Sequence, residues 1–337
     1  MKNKIILFTS PGVAEIVESD MPKLEKDEVL VKLVRSTISA GTERANLTGD
    51  PNVNSNKAPS VKFPRRGGYS SAGVIVSVGS DVTKHKVGDR VSCAWGYHGQ
   101  YCKFKEHRVF PMDGGVGFDE GALVNIATFP LAAIRKSRLE IGESTLIMGL
   151  GVLGLIAIQL AKAAGAAPII AADPVESKRA RALELGADYA LDPFADGFAD
   201  TVKELTGGGA KVCIEITGNG KGLDMALDCM ARFGRVALLG CTRNSDFTID
   251  YYRKVHGPGI TLIGAHIQAK PQSESFGGWW CERDEELTIL RLLSLGRLDF
   301  KALIEEVHPY TEAPKLYTRL ASDRSIPIVQ FDWEAEA

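Results

Sequence analysis

None of the six cysteines (Cys93, Cys102, Cys213, Cys229, Cys241, Cys281) stands in a CxxC pair, and none of the six histidines in an HxH or HxxxH pair. The first absence argues against a disulfide framework and for reduced thiols in a cytoplasmic protein. The second leaves each histidine a surface or hydrogen-bonded residue, not one of a ligand pair. Charge of one sign is also lacking: 40 Lys+Arg against 42 Asp+Glu leaves a net charge of −2. There is thus no electrostatic footprint for nucleic acid, and no Lys/Arg run reads as a membrane-binding patch. Long apolar runs are missing. Leu146–Ile158 has 13 residues, short of the roughly 20 that span a bilayer. Ile5–Phe8 is too short for a signal-peptide core and runs into Thr9-Ser10-Pro11. The expectation is a soluble, cytoplasmic protein with a small-molecule substrate, and no nucleic-acid or membrane partner.

What is present is ordinary globular material: 337 residues, 45% hydrophobic and 24% charged, enough for two domains. Residues 1–120 read as β-rich, with Val29–Val34 and Gly73–Gly79 as strand-like runs and a Gly-Asp turn inside Val87–Val91. From 144 onward short apolar runs (Thr145–Met148, Ile169–Ala172, Val212–Ile216, Val236–Leu239, Ile260–Ile263) alternate with amphipathic segments such as Val152–Ala164 and Glu176–Leu185. That alternation predicts an α/β fold with a doubly wound parallel sheet. The tail predicts helices near Asp284–Leu295 and Ala313–Ser322 and a last strand at Ile326–Phe331.

Directly after the first of these runs comes Gly149-Leu150-Gly151-Val152-Leu153-Gly154, a GxGxxG between a predicted strand and a predicted helix. Gly149 suits the tight turn, Gly151 the approach of a pyrophosphate, and Gly154 close packing of helix on strand. The helix N-terminus offers free N–H groups to the anion. The second run ends at Asp173, nineteen residues after Gly154. A carboxylate there accepts from ribose hydroxyls and repels a 2′-phosphate, so NAD is expected over NADP. Lys178 either reaches the same ribose or is a solvated helix lysine.

With these elements in order, the chain resembles the medium-chain dehydrogenase/reductase superfamily over nearly its full length. Gly88-Asp89-Arg90-Val91, the glycine turn, Leu185-Gly186-Ala187-Asp188, Glu215-Ile216-Thr217-Gly218 and Gly234-Arg235-Val236 carry the resemblance. It implies a GroES-like catalytic domain over 1–125, an NAD-binding Rossmann domain over 126–265 and a return to the catalytic domain over 266–337. It implies hydride transfer between nicotinamide and an alcohol or carbonyl carbon. Val152, Leu153, Thr217 and Gly240 would join the glycines and Asp173 in the cofactor site. Homodimers or homotetramers are expected through the strand Ile260–Ala265.

The resemblance departs at the metal. Where zinc-type members carry a ligand cysteine, histidine and a further cysteine or glutamate, this chain has Ala40, Tyr69 and, by loose alignment, Asn125. The structural lobe of four cysteines is missing as well, so a zinc-free enzyme is expected. Ser39–Arg44, Gly67–Gly73 and Gly278–Asp284 resemble a subgroup of bacteriochlorophyllide-dehydrogenase-like and sugar-oxidising proteins.

Without a metal, Thr42 is a candidate proton relay or a turn cap, and Tyr69 a candidate acid or a residue filling the vacated site. Arg44, Arg65 and Arg66 are possible neighbours for the phenol. Glu43 could orient an arginine or act as base. His98 lies where the resemblance brings a loop to the substrate, and Trp279 and Trp280 either line its mouth or anchor the next helix. Specificity is expected from 44–66 and 266–282. The leading expectation is oxidation of a sugar, glycoside or polyol hydroxyl. The alternatives are an enone or quinone reductase of the same fold and a non-catalytic dinucleotide sensor.

Overall fold

In the computed structural model, which describes residues 2–50, 62–242 and 247–335, the N-terminal part is built mainly of strands, several of them buried along most of their length. In chain order these are β1 (Lys2–Ser10), β2 (Val13–Asp20), β3 (Glu28–Thr37), β4 (Arg65–Arg66), β5 (Ser70–Val78), β6 (Arg90–Ala94), β7 (Tyr101–Lys105) and β8 (Val109–Pro111). Helices α1 (Ala40–Thr48) and α2 (Phe118–Gly121) interrupt and follow them. Next come α3 (Val124–Lys136), β9 (Thr145–Met148), α4 (Val152–Ala163), β10 (Ile169–Ala172), α5 (Glu176–Glu184), β11 (Tyr189–Leu191), α6 (Phe198–Thr206), β12 (Ala210–Glu215), α7 (Gly220–Asp228), β13 (Met230–Leu238) and β14 (Thr261–Gly264). The chain closes with α8 (Glu282–Ser294), β15 (Glu306–Pro309), α9 (Ala313–Ser322) and β16 (Val329–Asp332).

The chain divides into two units, Met1–Ile126 with Glu286–Ala337, and Ala127–Glu285. In the first, β2-β1-β4 form a small sheet beside a larger one ordered β15-β16-β3-β5-β6-β8. The C-terminal strand enters that sheet antiparallel to β3, pairing Gln330 with Thr37. Burial of Phe8, Tyr317 and Phe331 holds it there, with Tyr310 stacked on Trp333 at 4.9 Å. This is hydrophobic stabilisation with aromatic geometry added.

The second unit is a six-stranded parallel sheet ordered β11-β10-β9-β12-β13-β14, the doubly wound arrangement. All four residues of β9 and of β10 are buried, as expected of strands covered on both faces. The expected alternation of strand and helix is therefore present. Three helices lie where the sequence reading placed none, α1, α2 and α3. The apolar periodicity of α1 is too weak to announce it, because its buried face is Glu43, Ala45 and Leu47.

Residues 266–285 pack in the second unit rather than with the C-terminal return. Cation–π contacts hold them: Arg135 lies over Trp280 and the Lys136 ammonium 5.3 Å from Trp279. The two tryptophans thus anchor this segment to α3. Part of the first expected specificity segment, 51–61, lies outside the described residues. No helix among the described residues is long and apolar enough to cross a membrane.

Glu285 is buried beside Lys270, 3.3 Å away, and burial pushes its carboxyl up to about 7. The folded state thus holds this proton longer than the unfolded chain. Stability is full below the ordinary carboxylate range and is lost as pH rises through about 7. The loss is on the order of 3 kcal/mol. Thermal melts should therefore fall by several degrees between pH 5 and pH 8 in the native protein, and distinctly less in Glu285→Gln. Equal slopes would mean that Glu285 stays ionised throughout.

Candidate active site

The phosphate-binding turn is dictated by two different demands on its glycines. Gly149 has φ +98°, and a Cβ built on Gly154 would come 2.0 Å from the Gly149 carbonyl oxygen. No side chain fits at position 154 while α4 starts there. Gly151 is different: a Cβ there would meet nothing within 4 Å. The protein itself does not require that glycine, and the open side of the turn is a cradle for a group approaching the backbone. Gly151 caps α4 with no side-chain hydrogen bond, so the N–H groups of its first turn, at Val152, Leu153 and Gly154, remain available to an anion. The residues present fit a dinucleotide.

Asp173 directly follows β10 with its carboxylate turned into this turn, accepting from Leu150 N at 2.8 Å and Val175 N at 2.9 Å. It is 7% exposed, so it both braces the glycine turn and retains lone pairs for a ribose hydroxyl. Arg179 was missed by the sequence reading. It folds back from α5 to donate to the Asp173 and Pro174 carbonyls and lies 3.7 Å from Asp192. Its six-residue distance from Asp173 hid it, although one helical turn returns it there. Lys178 is half-buried on the first turn of α5.

Across the point where the strand order reverses, the loop after β12 faces the glycine turn, and a Cβ on Gly149 would lie 3.3 Å from Thr217 N. Thr217 donates from both its N–H and its hydroxyl to Glu215. Gly240 has a packing reason of its own, since a Cβ there would come 2.4 Å from Gly218 N.

In the first unit, the three positions that resemblance gives to zinc ligands carry no ligand chemistry. Ala40 presents a methyl. The Tyr69 hydroxyl donates to Ser39 Oγ at 2.7 Å, and Asn125 Nδ2 donates to the Tyr69 carbonyl at 2.7 Å. Among the described residues no group of three His, Cys, Asp or Glu is placed to hold a metal ion. These residues do not fit a zinc ion. Tyr69 is half-buried and stacks on Trp95 at 5.5 Å, a contact that sequence spacing could not reveal.

Glu43 and His98 are brought together, 55 residues apart in sequence, but inside the core: they are 1% and 0% exposed. His98 Nε2 lies 3.0 Å from Glu43 Oε2, which also accepts from the Tyr317 hydroxyl. Trp333 Nε1 donates to Ser36 Oγ at 2.8 Å, and Ser36 Oγ lies 2.7 Å from His98 Nδ1. This arrangement suits a serine proton directed at Nδ1 and an imidazole proton directed at Glu43. Gly68, at φ +84°, passes so close that a Cβ would meet the His98 ring at 2.7 Å.

Sealed this way, Glu43 and His98 do not touch a substrate. They hold α1, because Glu43 Oε1 accepts from Ser39 N at 2.8 Å, and Ser39 receives the Tyr69 proton. Two of the arginines named beside Tyr69 are engaged elsewhere. Arg44 donates to the Leu320 and Asp323 carbonyls, and Arg66 stacks over Tyr97. Thr42 sits half-buried on α1, its carbonyl accepting from Asn46.

The two glycines predict opposite phenotypes. Gly154→Ala should lose several kcal/mol of stability through backbone overlap, read as a lowered Tm. Gly151→Ala should melt within a few degrees of the native protein while its Kd for the dinucleotide rises at least about tenfold. Native affinity in a folded Gly151→Ala protein would remove the turn from the binding site.

Known proteins match this architecture. An alcohol dehydrogenase GroES-like domain model matches residues 25–137, and a zinc-binding dehydrogenase model matches residues 152–276. L-threonine 3-dehydrogenase of Pyrococcus horikoshii is 31% identical, with 90% of each chain covered. D-guloside 3-dehydrogenase of Escherichia coli is 28% identical, covering 93% of this chain and 95% of the relative. The crystal structure of galactitol-1-phosphate dehydrogenase from Escherichia coli shares the fold with a TM-score of 0.82 at 22% identity, covering 98% and 99%. The chain is thus an NAD(P)-binding dehydrogenase of the medium-chain dehydrogenase/reductase superfamily, in its zinc-type alcohol-dehydrogenase-like part.

Proposed function

We propose that this enzyme oxidises a secondary hydroxyl of a sugar, glycoside or polyol-like substrate with NAD, in the cytoplasm and without a catalytic zinc. The observation that carries the reading is the replacement of a metal-ligand position by Tyr69, whose hydroxyl is already held in a hydrogen bond to Ser39. The relative named for D-guloside supports the substrate class. Asp173 supports NAD, since a buried carboxylate beside the turn disfavours a 2′-phosphate.

In this mechanism the bound dinucleotide supplies the hydride acceptor, and the chain's own residues manage the proton. As the hydride leaves the carbon, the hydroxyl proton passes from the substrate oxygen to solvent water, and oxyanion character develops on that oxygen. The Tyr69 phenol serves as the hydrogen-bonding partner of that oxygen, with Ser39 Oγ as its second partner. Glu43 fixes Ser39 through its N–H, and His98 with Tyr317 fixes Glu43. Glu43 and His98 are therefore positioning residues here. Thr42, on the same helix, is assigned to substrate positioning. Assembly into a homodimer or homotetramer through β14 is supported by its place at the end of the parallel sheet, where a lone strand leaves backbone groups unpaired.

The test is NADH formation under a chelator, with a panel of gulosides, other glycosides, cyclitols, polyols and L-threonine, repeated with NADP and in reverse with enones and quinones. Turnover of a carbohydrate hydroxyl with NAD is expected. Tyr69→Phe should lower kcat at least about tenfold with little change in cofactor Kd. Activity on enones alone would replace this reading with the reductase. Binding without turnover on the whole panel would replace it with the sensor.

A further inference from the structure

Glu215 is the last residue of β12 and pairs in register with Met148, the last residue of β9. These two strands flank the reversal of strand order, where a doubly wound sheet lays a dinucleotide across its two mononucleotide halves. Asp173 and the glycine turn serve the half that takes the adenosine and pyrophosphate. β12 begins the other half, the one left for the nicotinamide nucleotide.

A carboxylate in this place is unusual for what surrounds it. Glu215 is 3% exposed. Its oxygens accept from Thr217 N at 2.8 Å, from the Thr217 hydroxyl and from Gly218 N at 3.4 Å. All three donors are neutral. Among the described residues no lysine, arginine or histidine lies within ion-pair distance of it, whereas other buried carboxylates such as Glu285 and Glu28 face lysines. Burial pushes its carboxyl above the ordinary carboxylate range, and the hydrogen bonds from Thr217 and Gly218 to the charged form work against that rise. The result is a buried carboxylate beneath the loop that meets the glycine turn, whose ionised form carries a negative charge that no neighbouring cation among the described residues compensates. Oxidised and reduced nicotinamide differ by one positive charge on the ring, and a fixed charge in a poorly screened site discriminates between them.

We propose that Glu215 is a specificity-determining residue for the oxidation state of the cofactor: its buried carboxylate favours the cationic ring of the oxidised dinucleotide over the neutral ring of the reduced one. Glutamine at this position keeps an oxygen for both Thr217 donors and removes the charge. Thr217→Val keeps the charge and removes the hydroxyl bond.

The experiment measures Kd for NAD+ and for NADH on the purified full chain by calorimetry and NADH fluorescence, in the native protein, Glu215→Gln and Thr217→Val. Folding is verified by thermal melting. The ratio of the two constants should move at least about fivefold against NAD+ in Glu215→Gln and stay within about twofold of native in Thr217→Val. An unchanged ratio in Glu215→Gln, including equal weakening of both forms, overturns the proposal and leaves Glu215 a loop brace. Should Glu215→Gln not fold, Glu215→Asp keeps the charge and must keep the native ratio; a ratio shifted against NAD+ there overturns it equally. Failure of the native protein to bind either form would instead overturn the dinucleotide site itself.

Discussion

The contact between the Gly149 carbonyl and Gly154, with 2.0 Å to any side-chain carbon placed there, is the constraint on which the second unit depends. It lets α4 begin directly over the end of β9, so the helix's unpaired N–H groups and the C-terminal edge of the sheet open on the same place. Asp173 reaches that turn from β10, and the Thr217 loop reaches it from β12. One close backbone approach thereby gathers the anion cradle, the ribose carboxylate and a buried glutamate from segments far apart in sequence.

The first unit solves a different problem. A fold whose relatives are zinc-type dehydrogenases has here an alanine, a tyrosine and an asparagine at the positions where ligands are expected. The Tyr69 hydroxyl and the Asn125 amide are engaged with Ser39 and the Tyr69 carbonyl, and among the described residues no three His, Cys, Asp or Glu converge on a common centre. Its fully buried histidine–carboxylate pair, His98 with Glu43, is spent inside the core. It ties β16, α9 and α1 together through Trp333, Tyr317 and Ser39. Burying such a pair costs desolvation, which is recovered only when both partners are fully hydrogen-bonded. Here they are, and the return is a fixed start to α1 and a fixed partner for the Tyr69 hydroxyl.

Much of the fold was legible because it rests on local pattern. β9, β10 and α9 fall where apolar runs and periodicity place them, and the glycine turn announces its own geometry. The site was less legible for reasons of distance. Glu43 and His98 looked like surface chemistry, since nothing local distinguishes a charged residue facing a core from one facing a cleft. The bracing partners Ser36, Tyr317 and Trp333 come from three elements that meet only in the folded sheet. Arg179 escaped notice because helical return, not adjacency, brings it to Asp173. The helix α1 was hidden by its own composition, a buried glutamate standing where periodicity looks for an apolar residue.

The most direct test of the central claim, that phenol and serine stand where a metal would, is the zinc content of catalytically active protein. The protein would be expressed with zinc supplied and measured by mass spectrometry against active-site concentration. The account predicts zinc below about 0.1 per chain with full activity. One tightly held zinc per chain, whose removal abolishes turnover and whose return restores it, would contradict it.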